Sequence, residues 1–260
     1  MQLWTERKAR SGMTYYSVGE NSTIVLLLHG LGCTAAKAWC HYKQTIMLAS
    51  NRQLIAVDLW GHGKSHTEKQ EKYTIQGQAS SLLELLLELK VQHVAIIGHS
   101  LGAQLAMCLG ELVPETVSVQ VICVELSMDL QASKIAVSKN HKDVATLWRQ
   151  STIDWWFNVD RRTRQGEPLW HTLRLHSTPN VSHVRRIYGE TSNLNPANRL
   201  HLQGGISGIE QMSKMLRGKN LLGLGDGHLP LYVVPKADHW PQRTNPKHFF
   251  RALKNLLDAK

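Results

Sequence analysis

The sequence predicts an α/β fold with a mostly parallel central sheet covered by helices on both faces. Three observations carry the prediction. Short, nearly continuous apolar runs recur along the chain, as in "TIVLLLHG", "QLIAVDLW" and "VAIIG". Segments with apolar residues at helical spacing separate them. The runs do not alternate polar and apolar residues, which is the signature of strands buried on two faces rather than one. Strands that alternate with helices at this spacing specify parallel crossovers.

The elements follow in order. A short β-like start lies near Thr14 to Val18, and "TIVLLLHG" is a buried strand ending in a turn. "AAKAWCHYKQTIMLAS" has helical spacing and leads to the strand in "QLIAVDLWGHG". In "YTIQGQASSLLELLLELK" the apolar positions 75, 79, 82, 83, 86 and 89 form one helix face suited to packing on a sheet. Then come "VAIIG" as strand, "AQLAMCLGEL" as helix and "VSVQVICVE" as strand. From 126 to 180 Trp, His and Arg are mixed with helical spacing, which reads as an inserted helical cap after strand six. Residues 1–125 and 181–260 then form the core. "LYVVP" is the last strand, and "NPKHFFRALKNLLDA" is a closing amphipathic helix with an Asn cap and Pro at its first position.

Composition narrows the function classes. A 260-residue chain with 42% apolar residues can bury one substantial core, so one domain with an insertion fits better than two. No segment reaches the roughly 18 apolar residues of a membrane span, and no signal-peptide pattern opens the chain. The expectation is a cytoplasmic protein. Its four cysteines show no CxxC pairing or zinc spacing, and no HExxH or glycine-rich phosphate loop is present, so no metal and no cofactor are expected. The net charge of +10 is concentrated around Arg161, Arg162, Arg164, Arg174, Arg185, Arg186 and Arg199. Without interleaved stacking aromatics or a known module, it argues for a solvated face or attraction of an anionic substrate, not for nucleic acid.

Chemistry concentrates at "VAIIGHSLGAQLAM". Ser100 lies between Gly98 and Gly102, directly after a strand and directly before a helix. In that context a Ser sits on a sharp turn with its hydroxyl exposed, and the helix N-terminus behind it favours developing negative charge. Ser100 is the candidate nucleophile. A neutral Ser needs a base, and among 14 His only His239 follows the last strand and precedes the final helix, in "PKADHWPQRTNP".

These motifs resemble the α/β-hydrolase superfamily across nearly the whole chain outside the cap. "LLLHGLG" is similar to the family's oxyanion loop after strand three, "VDLWGHGKS" to its strand-four turn and "GHSLG" to its nucleophile elbow. The resemblance implies an oxyanion hole from the backbone N–H groups of Leu31 and Leu101. It also implies a scaffold role for Asp58, Gly61, His62, Gly63 and Ser65, and the role of catalytic base for His239. The family's usual Gly before that His is Asp238 here.

The third member of the triad is the open position. Taking "NLLGL" as strand seven would put Asp226 at its end, but only Gly227 to Pro230 would then return the chain to "LYVV". Four extended residues reach about 14 Å, whereas a parallel crossover takes a dozen or more residues. "HVRRIYGETSN" is the better strand seven, and there the family's acid position holds Ser192. Haloalkane dehalogenases place a Glu after strand six, where this chain has Glu125 in "VQVICVELSMD". A carboxylate ending such an apolar run is costly unless paired, for instance with His239. Glu125 is the first choice for the acid, ahead of Asp129, Asp226 and a degraded triad.

Those dehalogenases and the epoxide hydrolases use an Asp nucleophile, so Ser100 points instead to attack on a carbonyl. The expected activity is cofactor-independent carboxylic-ester hydrolysis of a small acyl substrate. The rivals are same-fold acyl transfer, C–C hydrolysis or cyanohydrin cleavage, and a non-catalytic ligand-binding protein, which Asp238, Ala103 and Ser192 would allow. Trp148, Trp155, Trp156 and Trp170 are candidates for an acyl pocket or for the cap's own core.

Overall fold

The computed structural model describes residues 4–126, 181–189 and 231–258. The cap expected over 126–180 lies outside them except for Leu126, as do Asp129, Ser192, Asp226 and the four Trp of the expected acyl pocket.

Eight strands form one sheet: β1 (Thr5–Lys8), β2 (Thr14–Val18), β3 (Thr23–Leu28), β4 (Gln53–Val57), β5 (His93–His99), β6 (Ser118–Val124), β7 (Val181–Gly189) and β8 (Leu231–Val234). Their order across the sheet is β1-β2-β4-β3-β5-β6-β7-β8. β1 pairs antiparallel with β2 and β2 with β4, and every pairing from β4 through β3 to β8 is parallel. The chain reverses its direction of travel across the sheet between β3 and β5. In open α/β sheets such a switch point opens a crevice at the carboxyl ends of the strands, and that is where ligands bind.

Two apolar layers sandwich the sheet because alternate strand residues point to opposite faces. Ile24, Leu26 and Leu28 of β3 and Val94 and Ile96 of β5 pack on one face with α1 (Ile75–Glu88) and α2 (Leu101–Leu112). Val25 and Leu27 of β3 and Ile97 of β5 pack on the other with Trp39 and with Phe249, Phe250 and Leu253 of α3 (Pro246–Asp258). The central strands are therefore buried on both sides, as their unbroken apolar runs require.

Local signals set the helix ends. Thr74 caps α1 by accepting from Gly77 N at 3.0 Å, and Asn245 precedes the Pro246 that opens α3. In α1, Ile75, Ala79, Leu82 and Leu86 are buried, so the face read from spacing is the packed one. Gln78 on that same helix is fully buried, and its amide bonds both Trp60 N (2.9 Å) and Trp60 O (3.0 Å), clamping the turn after β4.

Two elements differ from expectation. The stretch after β3 is no regular α-helix but a π-turn at Ala36–Cys40 and a 3-10 stretch at Lys43–Ala49. Thr45, buried within the second, turns its hydroxyl back to Trp39 O of the first at 2.7 Å, a side-chain bond that competes with the helix ladder. The second is β1, which has no apolar signal because all four of its residues are exposed. Glu6, Arg7 and Lys8 give this edge strand the charged character that discourages pairing with other chains.

Candidate active site

The candidate residues gather at the carboxyl edge of the parallel strands. Ser100 immediately follows β5 and opens α2 with φ 54° and ψ −114°. This is a sparsely populated backbone conformation for a residue with a Cβ, of the kind that persists only where surroundings over-determine it. Here they do. Ser100 N donates to Val124 O at 2.8 Å, tying the turn to the end of β6, and Ser100 O accepts from Ala103 N at 3.0 Å.

The flanking glycines are required by space. A Cβ on Gly98 would lie 2.0 Å from Gly102 O, and one on Gly102 would lie 2.6 Å from His29 O and 2.7 Å from Leu28 O. No side chain other than hydrogen fits either place without moving backbone. The elbow thus packs directly on the end of β3 and the loop after it.

That loop carries Leu31. Two buried groups from the β4 turn hold it: His62 Nε2 accepts from Gly32 N at 3.1 Å, and Asp58 Oδ1 accepts from Ala35 N at 2.8 Å. Asp58 Oδ2 also accepts from Lys64 N at 2.9 Å, and Ser65 Oγ accepts from Thr14 N at 2.8 Å. These contacts are structural, as expected for the "VDLWGHGKS" segment. Leu101 is the first residue of α2, so its N–H has no intrahelical acceptor. Leu31 N likewise has no acceptor among the described residues.

Glu125 and His239 meet. Glu125 directly follows β6 with φ 55°, its N donating to Ile187 O at 2.8 Å, and its side chain is wholly buried. His239 lies five residues beyond Val234, the end of β8, and is partly exposed. Its Nδ1 stands 3.2 Å from Glu125 Oε2. A carboxylate can only accept, so in the neutral ring Nδ1 carries the proton and Nε2 keeps its lone pair. That is the tautomer a general base needs. Among the described residues no group of three or more His, Cys, Asp or Glu side chains converges to hold a metal.

His99 was not among the candidates. It is the last residue of β5, fully buried, and its Nε2 lies 2.7 Å from His239 O. Burial, and secondarily the nearby His239, lower its pKa to about 3. Like Glu125, it is a polar group ending an apolar run, a position that demands a partner and so is visible in the sequence. Its titration predicts a pH effect. Folded His99 stays neutral down to about pH 3, whereas in the unfolded chain it takes up a proton below about 6.5. Between those values the unfolded state binds more protons, so stability falls as pH falls. Urea unfolding across this window is expected to show a slope up to about 1.4 kcal/mol per pH unit smaller in His99→Gln than in wild type. Identical slopes would remove the assignment.

Residues 23–195 match the family model described as alpha/beta hydrolase fold. An uncharacterized protein of Mycobacterium tuberculosis (strain H37Rv) is 33% identical over 104 residues, covering 39% of this chain and 29% of that protein. A putative carbamate hydrolase, RutD, of Escherichia coli O9:H4 is 31% identical over 101 residues, covering 39% of this chain and 37% of its own. The matches thus span about a third of the length of these curated relatives. Among solved structures, E-2-(acetamidomethylene)succinate hydrolase superposes with a TM-score of 0.60 at 20% identity, over 98% of this chain and 100% of that one. No described helix is long and apolar enough to cross a membrane.

Proposed function

The chain belongs to the alpha/beta hydrolase fold family, and on that premise we propose that it is a serine hydrolase acting on carboxylic esters through an acyl-enzyme. The observation that carries this reading is the wholly buried Glu125 carboxylate 3.2 Å from His239 Nδ1, at the same sheet edge as the strained Ser100 turn. Burying a carboxylate is costly, and pairing it with an imidazole that keeps a free Nε2 both offsets that cost and prepares a base.

In this mechanism Ser100 Oγ attacks the substrate carbonyl while His239 Nε2 takes its proton. Glu125 holds the ring in the right tautomer and stabilises the imidazolium that forms. The N–H groups of Leu31 and Leu101 receive the oxyanion, supported by the N-terminal end of α2. His239 then gives the proton to the leaving alcohol, and water repeats the sequence to release the acid and restore Ser100. The similarity to a putative carbamate hydrolase fits the same electrophile class, an acyl carbon bearing a leaving group. Residues 126–180 are assigned as the cap that selects the acyl group.

A fluorophosphonate probe tests the reading. Its phosphorus mimics the carbonyl carbon, and the adduct is expected on Ser100 when the labelled protein is digested and its peptides are weighed. Competition by p-nitrophenyl acetate should slow the labelling. Folded protein that takes no label would overturn the assignment.

A further inference from the structure

The segment between β8 and α3 bears His239 and has no long regular element to fix it. Part of its shape is self-made: Asp238 Oδ1 accepts from Trp240 N at 2.7 Å, and Asn245 Nδ2 donates to Pro235 O at 2.7 Å. Neither bond relates His239 to the strand that bears the nucleophile.

His99 does. A carbonyl only accepts, so the 2.7 Å contact is a bond from His99 Nε2–H to the main-chain oxygen of His239. The same ring lies 4.4 Å, centroid to centroid, from Trp240 and 5.0 Å from His239. Its other edge faces the loop after β3: a Cβ placed on Gly30 would come within 3.2 Å of His99 Nδ1. One fully buried ring, on the residue before Ser100, therefore bonds the His239 loop and fills the space beside Gly30 in the loop after β3.

We propose that His99 is a positioning residue that fixes the main chain of His239 relative to Ser100, an inference that rests on reading these two as base and nucleophile. The donor suits the task because burial keeps the ring neutral, so it adds no positive charge beside an imidazolium forming on His239. Proton transfer between Oγ and Nε2 is sensitive to placement, and a shift of about 1 Å costs on the order of 100-fold in rate.

Three substitutions in the full chain separate positioning from packing. In His99→Gln the amide nitrogen reaches about where Nε2 stands; in His99→Asn it falls one methylene short; His99→Phe keeps the volume without a donor. With p-nitrophenyl acetate, at a temperature well below each variant's unfolding midpoint, Phe and Asn are expected to lower kcat about 10- to 100-fold with KM within about twofold. Gln is expected to keep kcat within about threefold. A folded Phe or Asn variant with wild-type kcat would overturn the proposal, as would a Gln variant that falls as far as Phe. Should Phe not fold, the contrast of Gln with Asn decides. Wild type that takes no fluorophosphonate and cleaves no ester would overturn the reading of Ser100 itself, and this one with it. Labelled wild type with equally active variants would overturn the positioning role alone.

Discussion

Ser100→Ala is expected to lower kcat for an activated ester by about a millionfold, leaving only the rate that binding and an oxyanion hole provide. The substitution removes Oγ and nothing else. Ala keeps the Cβ, so the backbone at φ 54° bears the same strain and the elbow keeps its bonds to Val124 and Ala103. The thermal midpoint should therefore stay where it is. Ser100→Gly, which also lacks the nucleophile, relieves the positive φ and is expected to raise stability by up to about 1 kcal/mol. Activity loss joined to retained or increased stability is the mark of a residue strained for chemistry. Near-wild-type turnover in Ser100→Ala would exclude the mechanism.

Glu125→Gln is expected to cost about 10⁴-fold in kcat with the fold intact. The two side chains are nearly the same size, so the buried site stays filled. What changes is the hydrogen bond. An amide can present N–H to His239 Nδ1, which favours the ring flipped to its other tautomer with a proton on Nε2, where it cannot accept one from Ser100. Steady-state kinetics on p-nitrophenyl acetate checks this. Asp129→Asn and Asp226→Asn are expected to keep kcat within about threefold. If either of them reproduces the loss and Glu125→Gln does not, the acid is assigned wrongly.

Much of the fold is legible locally because burial on two faces forces an unbroken apolar run, which β3, β4, β5 and β6 all show. Strand seven, argued from the length a crossover needs, is present as Val181–Gly189, beside β6 and β8. The irregular helical segment after β3 was not legible, since its spacing is helical and the bond from the Thr45 hydroxyl back to Trp39 O appears only in the folded chain. Nor was β1, whose exposed residues carry no hydrophobic pattern and which exists only because β2 offers it hydrogen-bonding partners.

At the site the division is sharper. The elbow around Ser100 is a local object: a strand, two glycines that leave no room for a Cβ, and a helix, all within the consecutive stretch from His93 to Leu112. Sequence alone therefore determined the buried strands, the turn that bears Ser100 and the loop that bears His239. Which carboxylate meets His239, and what holds His239 in place, only the tertiary structure decided. Glu125 is 114 residues away from His239 and His99 is 140, and each arrives at the end of its own strand. Their convergence depends on the order of β5, β6 and β8 across the sheet, and strand order is a property of packing that no stretch of chain contains by itself.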